Sequence, residues 1–472
     1  MRILEQPTPV AECRRDSLRS SFDDQTGIFK ANDIRGISEG PDPEWDPAGA
    51  YAIGAAAVDV LDLNAARALV VGRDMRVSGS RMAGAFIDGV LSRGVDVIDI
   101  GLSSTDELWF ASGSLDLPGA MFTASHNPAD YNGVKFCLAA AKPITPASLT
   151  EIADRASGPN RRQLQIRGGV PSWTCCPAYA EHLHSLVDLT GTRRLRVVAD
   201  AGNGMAGLTL PAVLGRSDLE LIGLFTELDG SFPNHPPNPL EPQNLIDAQA
   251  AVKDHAADLA LVFDGDADRC FIIDERGTVV NPSVVTAMIA THELAREPGA
   301  TIVCNKITSR VVPEVVQAEG GKMVITRVGH TFVKAAMAEH NAIFGGEHSA
   351  HYYFRDFWGA DTGMLAALHV LAAVGHADRP LSELVARFDR YAASGEINSR
   401  VADQQMIMDR VAAAFTDRGE QDRLDGLTIS GPDWWVNVRP SNTEPLLRLN
   451  VEAANSETME ALRDETLGLI RA

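Results

Sequence analysis

From Leu69 onward the chain alternates short apolar runs with longer amphipathic ones. ALVVGRD, VDVIDIG and GAMFTAS have the length of buried strands, whereas SGSRMAGAFIDGVLSRG and SLTEIADRAS repeat apolar positions at helical spacing. Such alternation predicts βαβ units around a sheet covered on both faces. The pattern lapses at RASGPNRRQLQIRGGVPS, a linker near residues 155–172. It restarts with helix CCPAYAEHLHSLVDL, strand RLRVVAD, helix MAGLTLPAVL and strand LELIGLF. The proline-rich loop DGSFPNHPPNPLEPQN follows, then strands LALVFD and CFIID. A third block carries strands ATIVCN, KMVITRV and NAIFGG. The last block differs. Strands LTISG, WWVNVRP and LLRLNVEA succeed one another between helices DQQMIMDRVAAAFTDR and SETMEALRDETLGLIRA, which predicts an α+β unit with an antiparallel sheet. These breaks predict a flexible lead-in over 1–26 and domains over 27–160, 170–278, 279–378 and 385–472.

Composition adds constraints. The 472 residues are 45 % hydrophobic and 22 % charged, enough for three or four ordinary globular domains. With 42 Lys and Arg against 63 Asp and Glu, the formal net charge is −21. Such a chain repels nucleic acid and anionic membranes, so an anionic ligand requires basic residues gathered locally. Six cysteines without paired spacing suit reduced thiols and a cytoplasmic location. No apolar run approaches the roughly 18–20 residues that span a bilayer. MRILEQPTPVAECRRDSLRS has charges throughout and no apolar signal-peptide segment.

Four polar loops hold the candidate chemistry. In LALVFDGDADRC, Asp264, Asp266 and Asp268 stand at alternate positions beside Arg269. Carboxylates this close repel unless a cation sits among them, and a divalent ion completed by a phosphate oxygen suits the set. An EF-hand is excluded because Arg269 stands where that loop turns on Gly. FGGEHSAHYYF places Glu347, His348, Ser349 and His351 after two glycines, donors and acceptors suited to sugar hydroxyls. Zinc lacks a supporting cysteine or HExxH pattern. VNVRPSNTEPLLRL offers Arg439, Ser441, Asn442 and Thr443, a guanidinium and hydroxyls fit to hold a phosphate. GIFKANDIRGI, with Lys30 and Arg35, reads alone as a charged edge strand. FTASHNPADYNGVKF carries Ser125, which its own pattern leaves open as nucleophile, helix cap or turn residue. Two further matches are weak. Gly36–Gly40 fits GxSxG, but PDPEWDP follows where a helix is required. Gly202–Gly207 fits GxGxxG between a strand and a helix, which keeps an NAD(P)-dependent oxidoreductase as a distant alternative.

KANDIRG, TASHNP, DGDADR, GEHSAH and RPSNTEP occur in that order, and the chain resembles the α-D-phosphohexomutase superfamily over about residues 27–470, within it the phosphomannomutase/phosphoglucomutase group. The resemblance implies an α/β protein: three similar mixed-sheet domains and a smaller α+β C-terminal domain around one cleft. It implies that Ser125 carries a phosphoryl group and that Asp264, Asp266 and Asp268 hold Mg²⁺ against it, with Arg269 beside them. Glu347 and Ser349 are expected to bind sugar hydroxyls, and Arg439, Ser441, Asn442 and Thr443 the phosphate that is not reacting. Lys306, His330, Arg35 and Arg448 are expected to add positive charge. His126, Lys135 and His351 are the general acid/base candidates. The implied reaction interconverts hexose 1-phosphate and hexose 6-phosphate of mannose or glucose, activated by hexose 1,6-bisphosphate, in a monomer or weak homo-oligomer. Asn32 stands where the family often has Tyr, and His348 where it has Met, or Gln in phosphoglucosamine mutases. The missing Gln argues against glucosamine phosphate, which stays the alternative substrate.

Overall fold

The computed structural model describes residues 26–158, 169–441 and 446–472. Residues 1–25, most of the expected linker, Asn442 and Thr443 therefore lie outside the described residues.

Three mixed sheets share one plan. The first contains β1 (Ile34–Ile37), β2 (Ala68–Arg73), β3 (Asp96–Leu102), β4 (Gly119–Phe122), β5 (Tyr131–Leu138) and β6 (Lys142–Pro143). Its order is β1-β5-β4-β2-β3, with β2 parallel to β3 and β4, and β5 antiparallel to β4. The second has β7 (Leu195–Asp200), β8 (Leu219–Leu224), β9 (Leu259–Phe263), β10 (Cys270–Asp274) and β11 (Val279–Val280), ordered β11-β10-β9-β7-β8. The third has β12 (Thr301–Asn305), β13 (Lys322–Thr326), β14 (Phe344–Gly346), β15 (Tyr352–Phe354) and β16 (Ala360–Asp361), ordered β13-β12-β14-β15-β16. In each, two parallel pairs are followed by an antiparallel turn-back. The serine, aspartate and sugar loops are that turn-back in all three sheets, each at the carboxyl end of a parallel strand, where α/β sheets place ligands.

The C-terminal sheet is antiparallel: β17 (Ala392–Ala393), β18 (Ile397–Arg400), β19 (Glu420–Asp422), β20 (Leu427–Ser430), β21 (Trp434–Pro440) and β22 (Leu446–Ala453). The expected arginine loop joins β21 to β22. Val411, Phe415, Leu427, Val436 and Leu449 form part of a core of its own. In contrast, one continuous apolar core runs from Val70 through Val198 and Phe263 to Leu371, joining the first three units. Burial of these runs follows the sequence pattern, since β4, β9 and β10 are buried at every position.

Two elements that position the site are not marked by the sequence pattern. YNGVKFCL forms β5 although Asn and Gly are poor strand residues, because it is clamped between β1 and β4. TDELWFASGSL forms a helix, Thr105–Leu115, started by a capping box in which Ser104 and Glu107 satisfy each other's backbone N–H. No helix among the described residues is long and apolar enough to cross a membrane, and the five described cysteines are unpaired.

Candidate active site

β4 ends at Phe122, and three residues later Ser125 adopts φ +49°, a left-handed conformation uncommon for a residue with a Cβ. The loop is held from below by Arg76, a residue the sequence reading did not single out. Its Nε donates to Asp74 (3.2 Å). Its Nη1 donates to the carbonyls of Pro128 (2.6 Å) and Tyr131 (3.0 Å). Its Nη2 donates to those of Ser125 (2.8 Å) and Asn127 (2.7 Å). Every N–H of the buried guanidinium is thus used. Arg35, on edge strand β1, bonds the Asn127 side chain (2.8 Å) and pairs with Asp33, so this edge strand also belongs to the site. Lys30 instead bonds the backbone of Gly27.

The aspartate loop meets the serine directly. Ser125 Oγ donates to Asp264 Oδ2 (2.9 Å) and accepts from Arg269 Nη2 (3.2 Å). A Cβ at Gly265 would lie 2.6 Å from the Ser125 carbonyl oxygen, so only glycine lets the two loops touch. Gly204 in turn admits the backbone of Gly265, whose oxygen a Cβ there would approach to 2.6 Å. The GxGxxG turn is thereby occupied in supporting the aspartate loop. That accounts for Gly204 without a dinucleotide, and Gly207 is required by the Thr226 backbone, whose oxygen a Cβ there would approach to 2.1 Å.

Asp264, Asp266 and Asp268 are buried with carboxylate oxygens within 4.8 Å of one another. Lys135, brought across by β5, donates to Oδ2 of Asp266 (2.7 Å) and of Asp268 (2.5 Å). Thr105 also donates to Asp266 Oδ2 (2.6 Å). The Oδ1 atoms of Asp266 and Asp268 are buried without a hydrogen-bond partner. Burial, against the opposing pull of Arg269, pushes Asp264 up to about 7. Burial also works against the charge of Asp266, but Lys135, Thr105 and Arg269 together offset it and hold that carboxyl well below its usual range. Two orphan carboxylate oxygens and a carboxyl driven toward neutrality mark a site short of positive charge. The donor set, all hard oxygens, fits a divalent cation.

The sugar loop joins the same cluster, since Arg269 and His351 pair as an isolated antiparallel bridge. Glu347 is fixed by Asn305 (2.8 Å), the Gly329 amide (3.2 Å) and the Tyr353 hydroxyl (2.6 Å). His351 Nδ1 is bonded to Ser349 Oγ (2.8 Å), and its Nε2 lies 3.8 Å from Asp268. His126 Nδ1 accepts from Arg269 (2.6 Å), and burial with that cation pushes the imidazole well below its ordinary value. Burial pushes His330 and His348 down to about 4. Thr331 donates to Asn32 (2.8 Å), which joins the first unit to the third.

The remaining expected residues lie toward the C-terminal unit. Lys306 is paired with Asp422 of β19. Arg439 and Arg448 face each other across β21 and β22, bridged by Glu396, which sequence reasoning also missed. The charges of Arg439 and Glu396 reach His348 of the sugar loop, the first lowering and the second raising its imidazole. Ser441 is buried at the end of β21.

A serine, a carboxylate triad and anchored cations between three related α/β units and a fourth domain define the phosphohexomutase class. Phosphoglucomutase/phosphomannomutase family models match alpha/beta/alpha domain I at residues 26–162, domain II at 177–277, domain III at 281–391 and the C-terminal domain at 396–469. The chain is 39 % identical over 448 residues to phosphohexose mutases of Xanthomonas campestris pv. campestris, covering 94 % of this chain and 99 % of that one. It is 38 % identical over 452 residues to a phosphomannomutase of Escherichia coli K12, covering 93 % and 97 %. The crystal structure of a phosphoglucomutase/phosphomannomutase family protein from Burkholderia thailandensis superposes with TM-score 0.85 at 31 % identity, covering 94 % and 97 %. The chain belongs to the phosphoglucomutase/phosphomannomutase family of the α-D-phosphohexomutase superfamily.

Proposed function

We propose that this protein interconverts the 1- and 6-phosphates of mannose and glucose through a phosphorylated Ser125. The observation that carries the reading is Ser125 Oγ seated on Asp264 and Arg269 at the edge of the carboxylate triad. In the forward direction the Ser125 phosphoryl group passes to the sugar 6-hydroxyl. The Ser–O–P bond breaks, the new P–O6 bond forms, and the hydroxyl proton leaves to a base. The resulting 1,6-bisphosphate reverses its ends, and Ser125 takes the 1-phosphoryl group to leave hexose 6-phosphate. Added hexose 1,6-bisphosphate activates by phosphorylating any Ser125 that has lost its group.

Phosphoryl transfer depends on positioning and charge stabilisation. Arg76 fixes the loop, Arg269 stabilises charge at the transferring oxygens, and Glu347 and Ser349 orient sugar hydroxyls. Arg439 and Arg448 hold the distal phosphate with Ser441, Asn442 and Thr443. His330 borders the sugar. Lys306, tied to Asp422, aligns the C-terminal unit against the third. Of the three base candidates, Lys135 has its ammonium committed to two carboxylates, and the Nδ1 of His126 is taken by Arg269. His351, oriented by Ser349, is the best-placed proton acceptor. Mg²⁺ held by Asp264, Asp266, Asp268 and the seryl phosphate would neutralise charge on the transferring group.

Ser125→Ala should abolish turnover of mannose and glucose 1-phosphates and remove one phosphate's mass from the purified chain. Substantial mutase activity in that variant would overturn the reading. Comparing kcat/KM for mannose, glucose and glucosamine 1-phosphates tests the sugar assignment.

A further inference from the structure

Arg439 and Arg448 stand opposite each other on adjacent strands, two like charges that repel unless an anion lies between them. Glu396, just before β18, supplies one oxygen to each: Oε2 accepts from Arg439 Nη2 (2.6 Å) and Oε1 from Arg448 Nη1 (3.0 Å). The match is incomplete. The Nε atoms of both arginines are buried without a hydrogen-bond partner. A carboxylate offers two oxygens, whereas a phosphate monoester offers three with greater charge to the same donors.

We propose that Glu396 is a resident carboxylate that occupies the arginine pair between ligands and is displaced by the substrate's distal phosphate. This rests on the reading of Arg439 and Arg448 as the distal phosphate grip. The built-in competitor has two consequences. It keeps the guanidiniums aligned when no ligand is present, and it weakens capture of any single phosphate. A bisphosphate that must let go midway and re-enter reversed is released more readily when a carboxylate is waiting to take its place.

The test is calorimetric titration of the full chain with inorganic phosphate, comparing wild type, Glu396→Gln, Glu396→Ala and Arg439→Ala. Glu396→Gln keeps the side-chain shape, and near-UV circular dichroism checks the fold of each variant. Removing the competing charge should tighten the Arg439-dependent phosphate binding about tenfold, one charge-assisted hydrogen bond's worth. With mannose 1-phosphate as substrate, KM and kcat should fall together in both Glu396 variants, because release is slowed. Unchanged or weaker phosphate binding with a raised KM would overturn the proposal and leave Glu396 a brace for the arginines. If Arg439→Ala leaves phosphate binding of the otherwise wild-type chain intact, the grip reading itself fails, and the proposal with it.

Discussion

Replacing Arg76 by Lys keeps the charge beside Asp74 but cuts the donors from five to three. At least two of the bonds to Asp74 and the carbonyls of Ser125, Asn127, Pro128 and Tyr131 must be lost. Bonds from a charged donor contribute about 1.5–3 kcal/mol each, so the loss is about 3–6 kcal/mol. Three of the five acceptors lie in the serine loop and a fourth, Tyr131, begins the strand that follows it, so the weakening falls on that loop rather than on the apolar core. Ser125, already in a left-handed conformation, loses its constraint. A displacement of about 1 Å at the reacting group lowers kcat about 100-fold, while KM moves little because the sugar contacts lie on other loops. Steady-state kinetics with Mg²⁺ and bisphosphate activator give the split, and hydrogen exchange of the 125–131 amides reports the loosened loop. Arg76→Lys with wild-type kcat and unchanged exchange would refute the idea that this guanidinium positions the nucleophile.

Two further outcomes follow from groups buried at domain junctions. Thr105 holds Asp266 Oδ2 while Oδ1 has no partner, so Thr105→Val should weaken Mn²⁺ binding about five- to tenfold, read by electron paramagnetic resonance, with Thr105→Ser restoring it. Asp106 accepts from Tyr179 (2.6 Å) and Thr362 (2.7 Å), and burial pushes its carboxyl from 3.8 up to about 7. A raised carboxyl favours the folded state when protonated, so its contribution is full below pH 3.8 and is lost as pH rises to about 7. The unionisable Asp106→Asn should flatten the decline of urea-unfolding stability over that window by up to about 4 kcal/mol. Parallel profiles for the two proteins would exclude this role.

How far the sequence carries depends on how far apart the partners are. DGDADR is legible alone because three carboxylates compressed into five positions repel one another and call for nearby positive charge, part of which Lys135 and Arg269 supply. Ser125 is legible only through the company of the other loops, since nothing local separates a nucleophile from a cap. Thr105 and Glu396 stay hidden because their meaning lies in contacts spanning 161 and 43 residues. Arg76 is hidden for another reason: GRDMR resembles any charged strand end until the fold wraps residues 125–131 around it. The glycines at 202–207 mislead in the opposite direction. A close backbone approach demands glycine whether a pyrophosphate or a neighbouring loop is what comes near, and here it is Gly265 at Gly204 and Thr226 at Gly207. Repetition of one sheet plan three times is likewise invisible as sequence periodicity, because each plan is written in different apolar residues.

A net charge of −21 and an anionic ligand predict a locally cationic cleft, whereas the structure pairs the cations of this region with carboxylates. Lys135 is paired with Asp266 and Asp268, Arg269 with Asp264, Lys306 with Asp422, Lys334 with Asp361, and Arg439 and Arg448 share Glu396. The cations are present, but each already has an anion. On the proposed function, substrate phosphate binds by exchange of partners within the cleft rather than by attraction from a distance. Paired charges produce little long-range field, and salt screens mainly what is unpaired and exposed. KM for mannose 1-phosphate at fixed Mg²⁺ should accordingly change less than about threefold from about 20 to about 200 mM NaCl. A cleft of free cations would show a rise of about tenfold or more over the same range. That steeper dependence, measured on the wild-type chain, would mean that the pairs open before the substrate arrives, and the exchange picture would have to be abandoned.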